Sequence, residues 1–184
     1  METSDHSLLT SIVQQNEQAM ETFYHRFSSQ VYRFALRTLS SPVDAAEIVN
    51  EVMMEVWRKA HTFEEKSSIK TWLMSITHHK SVDLLRKSVR HEHESDEQLA
   101  YVADPVCPIS TLQDAISNEK YLANCLAALS APHREVVQMT FYDELSYPEI
   151  SEILAVPAGT IKTRVMHAKK QLLACVSRLF KQEN

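Results

Sequence analysis

The stretch that decides the fold is Leu145-Ser146-Tyr147-Pro148-Glu149-Ile150-Ser151-Glu152-Ile153-Leu154-Ala155-Val156-Pro157-Ala158-Gly159-Thr160-Ile161-Lys162-Thr163-Arg164. Ser146 and Glu149 form a capping box, in which serine and glutamate satisfy each other's unpaired backbone N–H groups at a helix start. Ile150, Ile153 and Leu154 give that short helix an apolar face, and Ala155-Val156-Pro157 interrupts it. A longer helix then runs from about Ala158 to Phe180. Short helix, tight turn and basic helix are the helix-turn-helix plan.

On the longer helix, at about 100° per residue, Ile161, Val165, Ala168 and Leu172 fall in one narrow stripe that must face a core. The opposite side carries Gly159, Thr163, Met166, His167 and Lys170, with Lys162 and Lys169 on one flank and Arg164 on the other. Hydroxyl, imidazole and ammonium groups bond base edges or phosphates, and a glycine near the helix start lets backbone approach DNA. Charge points the same way: residues 157–184 hold 6 basic and 1 acidic side chains, while 131–156 hold 1 against 5 and 91–130 hold 1 against 7.

Working outward, Ser130 before Ala131-Pro132 caps a helix through Val136, Val137 and Phe141, preceded by a helix marked by Leu112, Ile116, Leu122, Leu126 and Leu129. Residues 91–110 lack periodicity, are acidic and contain two prolines, which reads as a flexible linker. Before it, apolar spacings of three and four recur. A short helix around Leu8, Leu9, Ile12 and Val13 leads to one carrying Ala19, Met20, Phe23, Phe27, Val31, Phe34 and Ala35. Ser41-Pro42 with Asp44 announces a third, with Ala45, Val49, Val52, Met53, Val56 and Trp57 inward. After a polar break from His61 to Ser68, the spacing Ile69, Trp72, Leu73, Ile76 continues toward Leu85. The expectation is an all-α chain of two small helical domains, 1–90 and 115–184, joined by an acidic linker at 91–114. One glycine and six prolines in 184 residues agree with that.

No stretch approaches the roughly 20 apolar residues of a membrane span, and Met1-Glu2-Thr3-Ser4-Asp5 lacks a signal peptide's basic flank, so a cytoplasmic protein is expected. Cys107, Cys125 and Cys175 are odd in number, far apart and without a C-x-x-C pair. They read as reduced thiols, two of them buried, and not as a disulfide framework or a zinc knuckle.

The stretch Leu145–Ile150 with Val156–Arg164 closely resembles the second DNA-binding domain of the extracytoplasmic-function (group IV) sigma factors of the sigma-70 family. An independent match comprises Asp44-Ala45-Ala46-Glu47-Ile48-Val49-Asn50-Glu51-Val52, Val56-Trp57-Arg58, Ser67-Ser68-Ile69-Lys70-Thr71-Trp72-Leu73 and Asp83-Leu84-Leu85-Arg86-Lys87. Two matches in the family's order span nearly the whole chain. The resemblance implies a region 2-like bundle and a region 4-like helix-turn-helix domain. It implies no enzyme activity, no cofactor and no small-molecule substrate: the partners are core RNA polymerase, promoter DNA and an anti-sigma factor.

Carried onto this sequence, the resemblance places Asp44, Glu47, Asn50, Glu51, Met54 and Arg58 against the clamp helices of the largest polymerase subunit. The second domain faces the flap of the second-largest. Lys66, Ser67, Ser68, Lys70, Thr71, His78, His79 and Lys80 fall in the minus-ten unit. There a base leaves the stack for a fitted pocket, at a cost of a few kcal/mol. Gly159, Thr160, Lys162, Thr163, Arg164, Met166, His167 and Lys170 fall in the minus-thirty-five unit. The run Glu51–His61 resembles a branch whose anti-sigma factor contains zinc in a cupin-type domain. The chain departs from the family at His78-His79, where an arginine-asparagine pair is usual, and at His167, where arginine is common. Imidazole charge at the first pair would make DNA affinity depend on pH.

Two other classes compete. A helix-turn-helix regulator that is not a sigma subunit needs a receiver or ligand pocket in residues 1–90, but the strand-helix alternation of a receiver is missing. A metal or redox sensor would draw on His78-His79, His91, His93 and Cys107, although adjacent helical histidines point about 100° apart. An enzyme would need a phosphate loop, nucleophile elbow or H-E-x-x-H motif, and none is present.

Overall fold

The computed structural model describes residues 4–94 and 121–182. The chain divides into two compact units, Met1–Ala103 and Asp104–Asn184. The described residues are helical or lie in turns and loops, without a strand.

In the first unit, α1 (Asp5–Val13) starts at Ser4, whose Oγ accepts the Ser7 N–H, and buries Leu8, Leu9 and Ile12. α2 (Glu17–Leu39) starts at Asn16 and α3 (Pro42–Lys59) at Ser41, each cap oxygen accepting a backbone N–H of the first turn. Such caps contribute about 1 kcal/mol each. A 3-10 turn, Ala60–Thr62, and a polar loop lead into α4 (Ile69–Glu94). α4 therefore continues past Arg90, where the sequence placed the domain's end. The rest of the expected linker, from residue 95, lies outside the described residues.

α2 packs on α3 and α4, and α1 lies on α2 and reaches the 3-10 turn. Phe23, Val31, Ile48, Val52, Val56, Leu73 and Met74 are fully enclosed. Each contributes on the order of 1.5–3 kcal/mol by leaving water.

The second unit comprises α5 (121–127), α6 (Ala131–Phe141), α7 (Tyr147–Leu154) and α8 (Ala158–Gln182). The capping box is in place: the Ser146 N–H donates to Glu149 Oε2 at 2.8 Å, and the Ser146 hydroxyl donates to the same oxygen at 2.6 Å. α7 ends at Ala155, in the left-handed region at φ 53°. α8 packs on both α6 and α7. Val136, Ile150, Ile153, Ile161, Val165 and Ala168 are buried at their junction.

One sequence expectation is overturned here. Cys125 on α5 and Cys175 on α8 are not thiols but a disulfide, with Cα atoms 5.8 Å apart. Adjacent helices bring together residues 50 positions apart, a proximity that linear spacing does not reveal. Cys107 lies outside the described residues.

Candidate nucleic-acid and partner interfaces

The two sides of α8 are sharply distinct. Ile161, Val165 and Ala168 are at most 1% exposed, and Leu172 packs on the cluster of Leu129, Val137 and Ala168. Gly159, Thr160, Lys162, Thr163, Met166, His167, Lys169 and Lys170 are all exposed. A Cβ added at Gly159 would meet nothing within 4 Å, so packing inside the protein does not demand glycine there.

The Thr163 hydroxyl donates to the Gly159 carbonyl at 2.9 Å, leaving its oxygen to accept. The His167 ring lies 6.5 Å from that of His133, and Lys169 Nζ sits 4.8 Å over the Phe141 ring. Arg164 is only half exposed and faces the Glu135 carboxyl. Burial raises the Glu135 pKa, and the Arg164 charge opposes that rise. Arg164 is thus committed partly to its own domain, as Lys169 is through Phe141, whereas Lys162 and Lys170 are exposed.

On α3, the residues expected to meet a partner form a stripe at spacings of three and four. Glu47, Asn50, Glu51, Met54 and Arg58 are exposed, and Asp44 is half exposed in the first turn. All five exposed residues line one groove of about 340 Å³, together with Glu55 and Lys80. A neighbouring groove of about 620 Å³ is mainly apolar, lined by Met20, Tyr24, Met53, Met54 and Trp57 beside Glu17 and Asn50. Trp57, read from the sequence as core, is half exposed in that wall.

The minus-ten set does not stay together. Thr71 is 0% exposed; its N–H donates to Ser68 Oγ at 3.0 Å, and the two hydroxyls pair at 2.7 Å. These residues cap α4 and do not offer two donors to a ligand. Lys80 Nζ lies 3.1 Å from Glu51 and 3.6 Å from Glu55, which ties it to α3. Glu55 has its pKa lowered, first by its hydrogen bond with Lys59 and then by the Lys80 charge.

His78 is half-buried and its pKa is depressed to about 4, chiefly by burial and then by the neighbouring His79 and Arg86 charges. It is neutral at physiological pH, so the pH sensitivity expected from this imidazole is absent there. His79 is exposed, and its Nδ1–H donates to the Ser75 carbonyl at 2.7 Å. Lys66, Ser67 and Lys70 remain on or beside the loop, Lys66 paired with Glu64. Trp72 is half-buried, its ring 5.3 Å from Phe63.

Sequence reading missed how this loop is braced. Glu65 takes a left-handed φ of 56°, a conformation costing a non-glycine residue about 1 kcal/mol. Its carboxylate lies 2.6 Å from His6 Nε2 on α1, and α1 is itself clasped to α2 by an Asp5–Arg26 ion pair. No local sequence pattern predicts a contact between residues 6 and 65. Among the described residues, no three His, Cys, Asp or Glu side chains are placed to hold a metal, and His91, His93 and Cys107 fall outside the described side chains. No described helix is long and apolar enough to cross a membrane.

Comparison with known proteins matches the two units separately. Residues 23–91 match the model of sigma-70 region 2, and residues 119–172 match that of sigma-70 region 4. The extracytoplasmic-function RNA polymerase sigma factor SigK of Mycobacterium sp. (strain JLS) is 28% identical over 171 residues, covering 92% of this chain and 89% of that one. SigK of Mycobacterium tuberculosis (strain ATCC 25177 / H37Ra) is 29% identical over 172 residues, covering 92% of each. Among solved structures, the sigma factor RpoE of Bartonella quintana, in complex with the anti-sigma factor NepR, aligns with a TM-score of 0.69 at 25% identity. It covers 85% of this chain and 98% of that one. CnrH, in complex with the cytosolic domain of CnrY, shares the fold at a TM-score of 0.68 and 19% identity, covering 95% and 97%. With both regions present in order, together covering about two thirds of the residues, the chain belongs to the sigma-70 family of RNA polymerase sigma factors and has the two-region layout of its extracytoplasmic-function members.

Proposed function

We propose that this sigma factor works in the cytoplasm, directing core RNA polymerase to promoters by using its two units for two promoter boxes. α8 enters the minus-thirty-five major groove with Gly159, Thr160, Lys162, Thr163, Met166, His167 and Lys170, while Arg164 orients the helix from its half-buried place beside Glu135. The observation carrying this assignment is the partition of α8, in which Ile161, Val165 and Ala168 are fully enclosed while the polar and basic side faces solvent. A bidentate or well-placed side chain in that groove discriminates by about 1–3 kcal/mol per base.

The first unit docks through the groove of Glu47, Asn50, Glu51, Met54 and Arg58 on the clamp helices of the largest subunit, with Asp44 at the start of the same helix. An acidic rim around one apolar side chain suits a basic helical hairpin better than it suits DNA. The loop before α4 addresses the minus-ten strand with Lys66 and Ser67, and α4 itself with Lys70 and His79. Ser68 and Thr71 hold that loop's exit, His78 packs behind it, and Lys80 positions α4 on α3. In the second unit, the exposed Phe141 and Tyr142 suit the apolar flap of the second-largest subunit.

An anti-sigma factor masks the apolar groove of Met20, Tyr24, Met53, Met54 and Trp57. Resemblance of Glu51–His61 to the cupin-partnered branch supports a zinc-containing partner in a stress response, and metal analysis of a co-purified complex tests this. The factor supplies no chemistry of its own; RNA synthesis belongs to polymerase.

Charge reversal at Lys162 and Lys170 is the direct test of the DNA assignment. Lys162→Glu with Lys170→Glu should abolish promoter-specific run-off transcription and leave association with core polymerase intact. Unchanged transcription overturns the assignment of α8. A protein that also loses core binding has misfolded, in which case the milder Lys162→Gln and Lys170→Gln pair decides.

A further inference from the structure

A protein that works beside polymerase in a reducing cytoplasm has no general need of a disulfide. Disulfides in such compartments, where they occur in mesophiles, usually serve redox sensing or catalysis. We propose that Cys125 and Cys175 form a thiol–disulfide switch, in which the bonded state holds α5 against α8 and keeps the promoter-reading unit assembled. This rests on the assignment of α8 as the DNA-reading helix.

The placement of the bond supports a switch in three ways. It closes a segment 50 residues apart in sequence, containing all of α6 and α7 and the exposed basic face of α8. A cross-link of that span removes much of the freedom of the unfolded chain. The packing it reinforces is thin: at this end of the unit Leu129, Val137 and Ala168 are enclosed, while Leu126 and Leu172 are only partly covered and Leu173 is 71% exposed. A small unit with a modest core depends heavily on one covalent link.

The two sulfurs also differ in access. Cys125 is 1% exposed, whereas Cys175 is half exposed on the outer part of α8. An incoming thiolate therefore reaches Cys175 Sγ first. The S–S bond breaks with its electron pair passing to Cys125 Sγ, which takes a proton, and a mixed disulfide remains on Cys175. A second thiolate of the same dithiol then attacks its own sulfur in that mixed disulfide, releasing the Cys175 thiolate to take the second proton. Two electrons and two protons enter the pair, and the dithiol leaves as a disulfide. Oxidation is the reverse exchange with a low-molecular-weight disulfide such as glutathione disulfide. Reduction leaves Ile161 and Val165 to hold the reading end of α8, while α5 and the outer turns of α8 lose their link.

The test uses the full chain in a Cys107→Ser background, equilibrated in graded dithiothreitol or glutathione redox buffers. Alkylation and mass spectrometry follow the pair, and melting and binding to a promoter fragment are read on the same samples. The expected result is a reversible two-electron transition in the folded protein, with the reduced form melting lower by about 10 °C or more. If about a tenth of the reduced molecules keep the competent arrangement, apparent DNA affinity falls about tenfold. A Cys125→Ala, Cys175→Ala variant should behave like the reduced form and ignore the buffer. Should that variant fail to fold, reversible reduction of the parent protein still decides. A bond that resists reduction until the chain unfolds is a permanent staple and overturns the switch. So does a reduced form that melts and binds DNA like the oxidised one. Oxidised protein that drives no promoter-specific transcription would sink the DNA assignment instead, leaving the titration and melting curves to judge the switch alone.

Discussion

Gly159→Ala should raise the stability of the second unit and weaken its hold on promoter DNA. Glycine is about 1 kcal/mol less favourable than alanine in a helix interior, because its backbone loses more freedom on ordering. Gly159 is the second residue of α8, where roughly half of that difference applies. A Cβ at this position meets no protein atom within 4 Å, so no clash offsets the gain. The expected stabilisation is about 0.5 kcal/mol, a rise of about 2–4 °C in melting temperature for a unit of this size. On DNA the sign reverses. Keeping a phosphate or base edge one methyl group further from the start of α8 should cost at least one contact, about 1–3 kcal/mol, or roughly tenfold or more in affinity. Melting followed by circular dichroism and binding to a fluorescent promoter fragment read the two effects on one protein sample. If the variant is more stable and binds the fragment as tightly as the parent, Gly159 does not lie on the approach surface and the orientation assigned to α8 is wrong.

Three further outcomes test charged and titratable groups of the two units. The folded-state pKa of His78 lies near 4, below the ordinary 6.5, so the unfolded chain takes up a proton first as pH falls. Stability of the first unit should therefore decline from about pH 6.5 toward 4, by about 2 kcal/mol once partial solvent screening is allowed for. His78→Gln should flatten denaturant midpoints in that window, and an equal slope in the variant would place the titration elsewhere. Lys80→Gln leaves Glu51 and Glu55 facing each other and should cost the first unit about 1 kcal/mol; a loss of DNA binding with unchanged melting would show that Lys80 touches DNA directly. Binding of the isolated chain to duplex should depend on log salt with a slope of roughly −3, from the exposed Lys162, Lys169 and Lys170. A slope twice as steep would require cations beyond this face.

The helix-turn-helix was legible because its signals are local. A capping box spans three residues and an apolar stripe repeats every three or four, so sequence and structure report the same contacts. The same holds for α3, whose outer stripe from Glu47 to Arg58 sits where its periodicity put it. What could not be read depends on contacts across the fold. The Cys125–Cys175 bond, the bridge from Lys80 to Glu51 and the brace from His6 to Glu65 join residues 50, 29 and 59 positions apart. Ser68 and Thr71 are a different case. A serine three residues before the N–H it caps is itself a helix-start signal, but the family resemblance directed attention to the hydroxyls as donors to DNA. Their competing local role takes Thr71 out of solvent altogether.

The distribution of charge explains why such a protein would do little at a promoter alone. Residues 1–90 carry 11 basic and 11 acidic side chains, and the structure pairs several of them: Lys66 with Glu64, Lys59 with Glu55, and Lys80 with Glu51 and Glu55. A cation already neutralised by a carboxylate releases fewer counterions from a phosphate, so these pairings would weaken the salt-dependent grip of the first unit on a duplex. On the proposed assignment it would recognise a strand only if something else separates and presents it, because extracting a base costs a few kcal/mol that a surface of balanced charge would not readily recover. The exposed acidic and apolar groove on α3 is where a larger partner would attach, and attachment would hold the loop around Glu65 beside the opened strand. The basic face of α8, on the proposed assignment, would need no such help to find duplex DNA. On the proposed assignment, dividing duplex affinity and strand recognition between the two units would make promoter opening conditional on polymerase, since neither unit would carry both properties.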